Sequence, residues 1–261
     1  HKRIIEFQAR REFEAFGSLP NDLTVQQQQA LQQFLAANPN VIGVWNWTQS
    51  GGPLRAGPRT LYLREGFWQL FGLNTYAVAR LAWNPELDAA QVTADWARQM
   101  FSDDPATVAA IGEVMVLSRD AVTKGLYIAP YASQSVKALG LEPPPMMWIF
   151  EWDIPTGDSA VLDSIYAVSH DRIDEAVAEG QQAVDLAKQQ RDLIAATDAS
   201  TWRSPQLRNE FMATLDFQVS LYETLAAYRE MVLRHAQWLD TGDPAAQEAW
   251  AATSRVQAAQ Q

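Results

Sequence analysis

The sequence predicts a mostly helical protein that opens with a single strand–helix–strand unit. Three observations carry this. Residues 3–7 (RIIEF) and 41–47 (VIGVWNW) are short, β-branched and apolar, as buried strands are. Between them, residues 22–37 read as a helix, with Asp22 or Thr24 as cap and Asn38-Pro39 as stop. From Leu61 onward the apolar spacing becomes helical, and only residues 146–152 offer another strand or extended segment. Strands apolar on nearly every residue belong to covered parallel sheets, so the first unit is expected to be βαβ with both strands buried.

The later elements follow in order. Residues 67–83 are apolar-rich and end at Asn84-Pro85; Asp88 caps a helix running to about Phe101, and Pro105 opens the next. Pro143-Pro144-Pro145 is the strongest break in the chain, and a sub-boundary is expected near 143–157. Beyond it, Ile173, Val177, Gly180, Val184 and Ala187 line one helix face. Phe217, Leu221, Leu225, Tyr228, Val232, His235 and Leu239 line another. These two are expected to pack antiparallel, with His235 as a core residue and the acidic stretch 171–179 as a solvated face.

Composition narrows the function. The chain has 261 residues, 48% of them hydrophobic, which suits a globular protein. A net charge of −11 with no long basic run argues against nucleic acid. No apolar run reaches the roughly 18 residues of a membrane span. Without cysteine there is no disulfide framework, thiolate zinc site or Cys nucleophile; His1, His170 and His235 are too scattered for metal-ligand spacing. No cofactor is expected, and the compartment is not readable. The chain starts His1-Lys2-Arg3 and enters Ile4-Ile5 at once, as expected of a chain cut at its front.

Chemistry concentrates at the two strand ends. Glu6 closes the first strand, and a carboxylate there is costly unless paired, with Arg10 or Arg11, or used. The second strand ends Trp45-Asn46-Trp47-Thr48-Gln49. Indole faces suit the C–H face of a pyranose, and the amides and hydroxyl suit its hydroxyls; core packing is the competing reading. The Gly/Pro loop 50–58 (SGGPLRAGP) lacks the ending of a phosphate loop, and its Arg55 is expected to contact substrate.

Two segments resemble the α-glucuronidases of glycoside hydrolase family 67. In EFQARREF (residues 6–13), Glu6, Gln8 and Glu12 fit the family's strand-end motif, with Phe13 in place of Tyr and Arg11 in place of Gln. In NTYAVARLAWNP (residues 74–85), Asn74, Tyr76, Ala77, Arg80, Leu81, Ala82, Trp83 and Pro85 fit; Thr75, Val78, Ala79 and Asn84 depart. The resemblance covers residues 1–105. It implies the C-terminal βαβ remnant of a TIM-type (β/α)8 barrel over residues 1–60, followed by a helical C-terminal domain over 61–261. It also implies inverting hydrolysis of a uronic acid branch from xylan fragments. Glu6 then belongs to the general-base apparatus and the general acid lies upstream. Gln8, Glu12, Trp45, Asn46, Trp47 and Arg55 are the residues expected to bind substrate, although the family's loop contacts do not carry over to residues 50–58, which differ from it. The expected partner is an oligosaccharide or polysaccharide, and a homodimer through the helical domain is one assembly open to it. The rival reading is a non-catalytic helical carbohydrate-binding or assembly module.

Overall fold

The computed structural model describes residues 1–6, 19–45, 68–128 and 160–260. It is mostly helical, with a small two-stranded parallel sheet. In chain order the elements are β1 (Arg3–Glu6), α1 (Thr24–Ala37), β2 (Val41–Trp45), α2 (Trp68–Trp83), α3 (Ala89–Met100), α4 (Pro105–Leu126), α5 (Ala160–Ser169), α6 (Ile173–Ala195), α7 (Pro205–Thr241) and α8 (Pro244–Gln260). The expected strand at 146–152 and the triple-proline break lie outside the described residues.

β1 and β2 pair in parallel, with Arg3 opposite Val41, Ile4 opposite Gly43, Ile5 opposite Val44 and Glu6 opposite Trp45. The register skips Ile42, so β2 carries a one-residue irregularity. The expectation that both strands are buried is corrected here: Ile4 is 65% exposed and Ile42 60%. Neither apolar face is sealed, because among the described residues these two strands pair only with each other.

The chain divides into two compact units, and the division falls inside α4, α6 and α7. Unit one comprises residues 1–119 and 189–216. Its core joins Leu70, Leu73, Trp96, Phe101, Ile111, Met115, Phe211 and Leu215. Phe101 sits at the centre of an aromatic cluster. Its ring meets Trp96 edge-on at 5.1 Å, Phe211 at 5.5 Å and Trp202 at 5.8 Å. The segment after α6 is tied in by polar contacts: Ser102 Oγ donates to the Thr201 carbonyl at 2.6 Å, and the Arg203 N–H donates to the Phe101 carbonyl at 2.7 Å. Gln190, fully buried, donates to the Val114 carbonyl on α4.

Unit two comprises residues 120–188 and 217–261. Within it α6 and α7 run antiparallel, as expected. Asp174 pairs with Arg234, Gly180 lies against Ala226, and Lys188 pairs with Glu223 at 2.9 Å, so rising numbers on one helix meet falling numbers on the other. Arg229 is completely buried at their contact. Its guanidinium donates to the carbonyls of Ala176, Lys124, Gly125 and Tyr127. Those at 124, 125 and 127 belong to the end of α4, where helical carbonyls run out of partners and a cation opposes the dipole favourably. Desolvation lowers the Arg229 pKa to about 10, and Glu179 beside it opposes that shift. Glu179 therefore departs from the solvated face expected for 171–179. His235 departs too: it is half-buried, 4.6 Å from the Trp250 ring and 5.9 Å from Trp238, not a core residue.

α5 and α8 are helices beyond those expected individually from the apolar spacing. The start of α8 carries a legible signal, since Asp243 accepts from the Ala245 N–H and Pro244 takes the first helical position.

Two substitutions test the packing of unit two. A Cβ on Gly125 would stand 2.6 Å from Cε1 of Tyr222, whose ring is buried and cannot swing aside. Gly125→Ala is expected to destabilise by about 2 kcal/mol despite the better helix propensity of alanine. Arg229→Ala strands several buried carbonyls and is expected to cost about 3 kcal/mol or more. Urea unfolding measures both, and a loss under about 1 kcal/mol for Arg229→Ala contradicts its role as a helix-end anchor.

Candidate active site

A parallel strand pair shares one C-terminal edge, and Glu6 and Trp45 end their strands opposite each other on that edge. This is the shared edge expected from the sequence. Trp45 is 43% exposed there rather than sunk in a core. Gln8, Glu12, Asn46, Trp47 and Arg55, and with them Arg10 and Arg11 as partners of Glu6, lie outside the described residues.

The crossover helix α1 ends just before the start of β2, where the Val41 N–H donates to the Asn38 carbonyl and the Arg3 N–H to the Asn40 carbonyl.

The chain just before α1 is held by a polar knot inside unit one. Asp22 Oδ1 accepts from the Thr24 N–H at 2.8 Å, an Asx turn that lies one residue ahead of the cap, so the expectation of Asp22 or Thr24 as cap is corrected: Leu23 holds that position. Its Oδ2 accepts from Thr93 Oγ1 of α3 at 2.8 Å. The Asp22 N–H donates to Ser118 Oγ of α4 at 2.8 Å, and that hydroxyl donates on to the Met115 carbonyl. Asn74 of α2 grips the chain on both sides. Its Oδ1 accepts from the Leu23 N–H at 2.9 Å and its Nδ2 donates to the Asn21 carbonyl at 2.8 Å. Arg119 donates to Asn21 Oδ1 at 3.3 Å. Burial pushes the Asp22 pKa above its ordinary 3.8, against the hydrogen bonds from Thr24 and Thr93 that lower it.

Of this knot, the sequence marked Asp22 as a cap and Asn74 as a motif residue. Thr93 and Ser118 carry no signal, since a Thr or Ser inside a helix reads as an ordinary surface or core position. The rest of the second motif is also visible. Ala77 and Leu81 are buried, Arg80 donates to the Tyr76 hydroxyl at 2.6 Å and approaches Asp95 at 3.7 Å, and Trp83 is 92% exposed at the end of α2.

Unit two has its own concavity, an open trough of about 610 Å³ between α6, α7 and α8. Its walls carry Gln181, Lys188, Glu223 and Glu230 over a floor of alanines. Among the described residues no aromatic ring lines it, and Glu223 is already paired with Lys188. Among the described residues, no cluster of three His, Asp or Glu side chains could hold a metal ion.

Residues 69–138 match the family model for the glycosyl hydrolase family 67 C-terminus. The matched stretch contains the whole of the second motif, all of α3 and α4, and reaches beyond residue 105, where the resemblance was expected to stop. The first motif lies outside it. No curated protein matches the chain.

The knot has a pH signature. An acid whose folded pKa is raised contributes stability below its unfolded pKa and loses that contribution as pH climbs through the folded one. Asp22→Asn keeps an acceptor for the Thr24 N–H and can donate to Thr93 Oγ1, yet never ionises. Between about pH 4 and pH 7 the melting temperature of Asp22→Asn is expected to rise relative to that of the parent protein. A difference that stays flat across this range refutes the assignment.

Proposed function

We propose that this chain is the C-terminal part of an α-glucuronidase-like glycoside hydrolase that removes a uronic acid branch from xylan-type fragments by inversion. The observation that carries this reading is the family 67 C-terminal match over residues 69–138, later in the chain than a parallel β–α–β unit. In this reading β1 and β2 are the last two strands of a (β/α)8 barrel. The exposed Ile4 and Ile42 support it, because a two-stranded parallel sheet is marginal alone and apolar strand faces call for neighbours. The shared edge of Glu6 and Trp45 supports it as well, since barrel enzymes build their sites from residues at strand C-termini.

Inverting cleavage of a glycosidic bond needs two carboxyl functions on opposite sides of the sugar. One takes a proton from the attacking water, and the other protonates the leaving oxygen. Glu6 serves on the water side. The general acid, and a second carboxylate beside Glu6, come from earlier strands of the same barrel. Trp45 and Trp47 supply apolar faces for the pyranose, with Gln8, Glu12, Asn46 and Arg55 on its hydroxyls and carboxylate. No cofactor enters this chemistry.

The test assays release of 4-O-methylglucuronic acid from glucuronoxylo-oligosaccharides by three proteins: this chain, the full polypeptide its gene encodes, and that polypeptide with Glu6→Gln. The expected result is turnover only by the second, with the variant reduced on the order of 100-fold or more. Turnover by this chain alone overturns the shared-barrel reading. Undiminished turnover by the variant removes Glu6 from the mechanism.

A further inference from the structure

We infer that Trp83 and Arg80 of α2 form a binding site for an acid-bearing glycan, with a sugar ring on the indole and a carboxylate on the guanidinium. The site stands on its own geometry; that its occupant is the branched xylan fragment of the proposed reaction rests on the glycosidase reading. Tyr76, Arg80 and Trp83 recur at spacings of four and three, which places them along one stripe of α2. A polar stripe of α3 lies beside it, since Arg80 approaches Asp95 at 3.7 Å and Gln99 donates to the Tyr76 hydroxyl at 3.4 Å. Among the described residues no other large apolar side chain is as exposed as Trp83. A flat apolar ring at the end of a polar stripe suits a pyranose, which is apolar on one face and hydroxylated at its rim.

The guanidinium is prepared for a carboxylate. Its Nη1 donates to the Tyr76 hydroxyl at 2.6 Å and faces Asp95, and its Cζ stands 5.5 Å from the centre of the Tyr76 ring. Both polar contacts use Nη1, so the edge formed by Nε and Nη2 is left to a ligand, on a side chain 39% exposed. That edge presents two parallel N–H bonds, the fork that matches a carboxylate. Asp95 does not cancel the charge, because its Oδ1 already accepts from Arg98 and Gln91; two guanidiniums share one carboxylate. The acids of the turn after Trp83 are engaged elsewhere, Glu86 by Gln32 and Asp88 by the Gln91 N–H. On a chain of net charge −11 this makes a local cationic spot that favours an acidic ligand over a neutral one. Arg80 reaches back toward Tyr76, so its guanidinium stands at least a helical turn, about 5 Å, from the root of Trp83. That separation suits a ring on the indole and a carboxylate on the adjoining sugar, as in a xylose that bears a glucuronic acid branch.

The experiment uses the full polypeptide with fluorinated tryptophan, carrying Glu6→Gln so that the probe outlasts the titration. The fluorine resonance of Trp83 is assigned by its absence in Trp83→Phe. The probes are xylotriose with one glucuronic acid branch and plain xylotriose. The expected result is a saturable shift of the Trp83 signal with the branched probe. Binding at that signal is expected to be about fivefold or more weaker for plain xylotriose, and equally weakened for the branched probe in Arg80→Gln. Should Arg80→Gln disturb folding, added salt gives the second reading, since it weakens the branched probe at Trp83 and spares the plain one. A Trp83 signal that stays still while the branched probe saturates the protein overturns the inference, and so does equal binding of the two probes there. Turnover by the polypeptide without Glu6→Gln is measured separately. Its absence overturns the glycosidase reading, while a shifted Trp83 signal still upholds the site.

Discussion

A parallel pair of strands cannot exist without a crossover, and here the crossover helix is held at its entry by other helices rather than by the sheet. Asn74, Thr93 and Ser118 reach from α2, α3 and α4 to three successive residues before α1. Further along, Gln28 of α1 donates to the Pro85 and Leu87 carbonyls that follow α2. The backbone groups at a helix start have no partners of their own, so whatever satisfies them decides where the helix stands. Just before α1, the Asp22 and Leu23 N–H groups are satisfied by side chains distant in sequence, Ser118 and Asn74.

The two units solve helix packing differently. Unit one uses aromatic rings: Trp96, Phe101, Trp202 and Phe211 meet edge to face around one centre. Such a core is apolar and needs no partner atoms beyond contact. Unit two places a guanidinium where small residues, Gly125 and Gly180, let helices approach closely. A buried cation is tolerated there because it donates to the carbonyls of Lys124, Gly125 and Tyr127 at the end of α4, where the helix dipole favours positive charge. Each arrangement is sensitive to a different kind of change, the first to volume and the second to loss of a donor.

The second family motif shows how a recognisable sequence can serve shape more than chemistry. Asn74 clamps a turn, Ala77 and Leu81 fill the core, and Tyr76 with Arg80 forms a surface network with Asp95. A match over such residues speaks for a fold, while chemistry has to come from the strand ends. Trp83 is the exception within the motif, since it is 92% exposed.

Local physics determined much of this protein from the sequence alone. Proline and asparagine ended helices where no backbone donor or helical dihedral was available, Asp88 capped α3 through the Gln91 N–H, and the 3.6-residue period of α6 and α7 gave an antiparallel pair. The parallel pairing of β1 and β2 also followed, because a helix between two strands leaves them aligned. The tertiary structure decided what periodicity cannot encode. Burial of the strands depends on neighbours, and Ile4 and Ile42 emerged exposed. The location of His235 among Trp238 and Trp250 depended on α8 folding back. Thr93, Ser118 and Arg229 gained their roles from partners dozens of residues away, and a hydrogen bond between such residues leaves no spacing in the sequence for a reader to find.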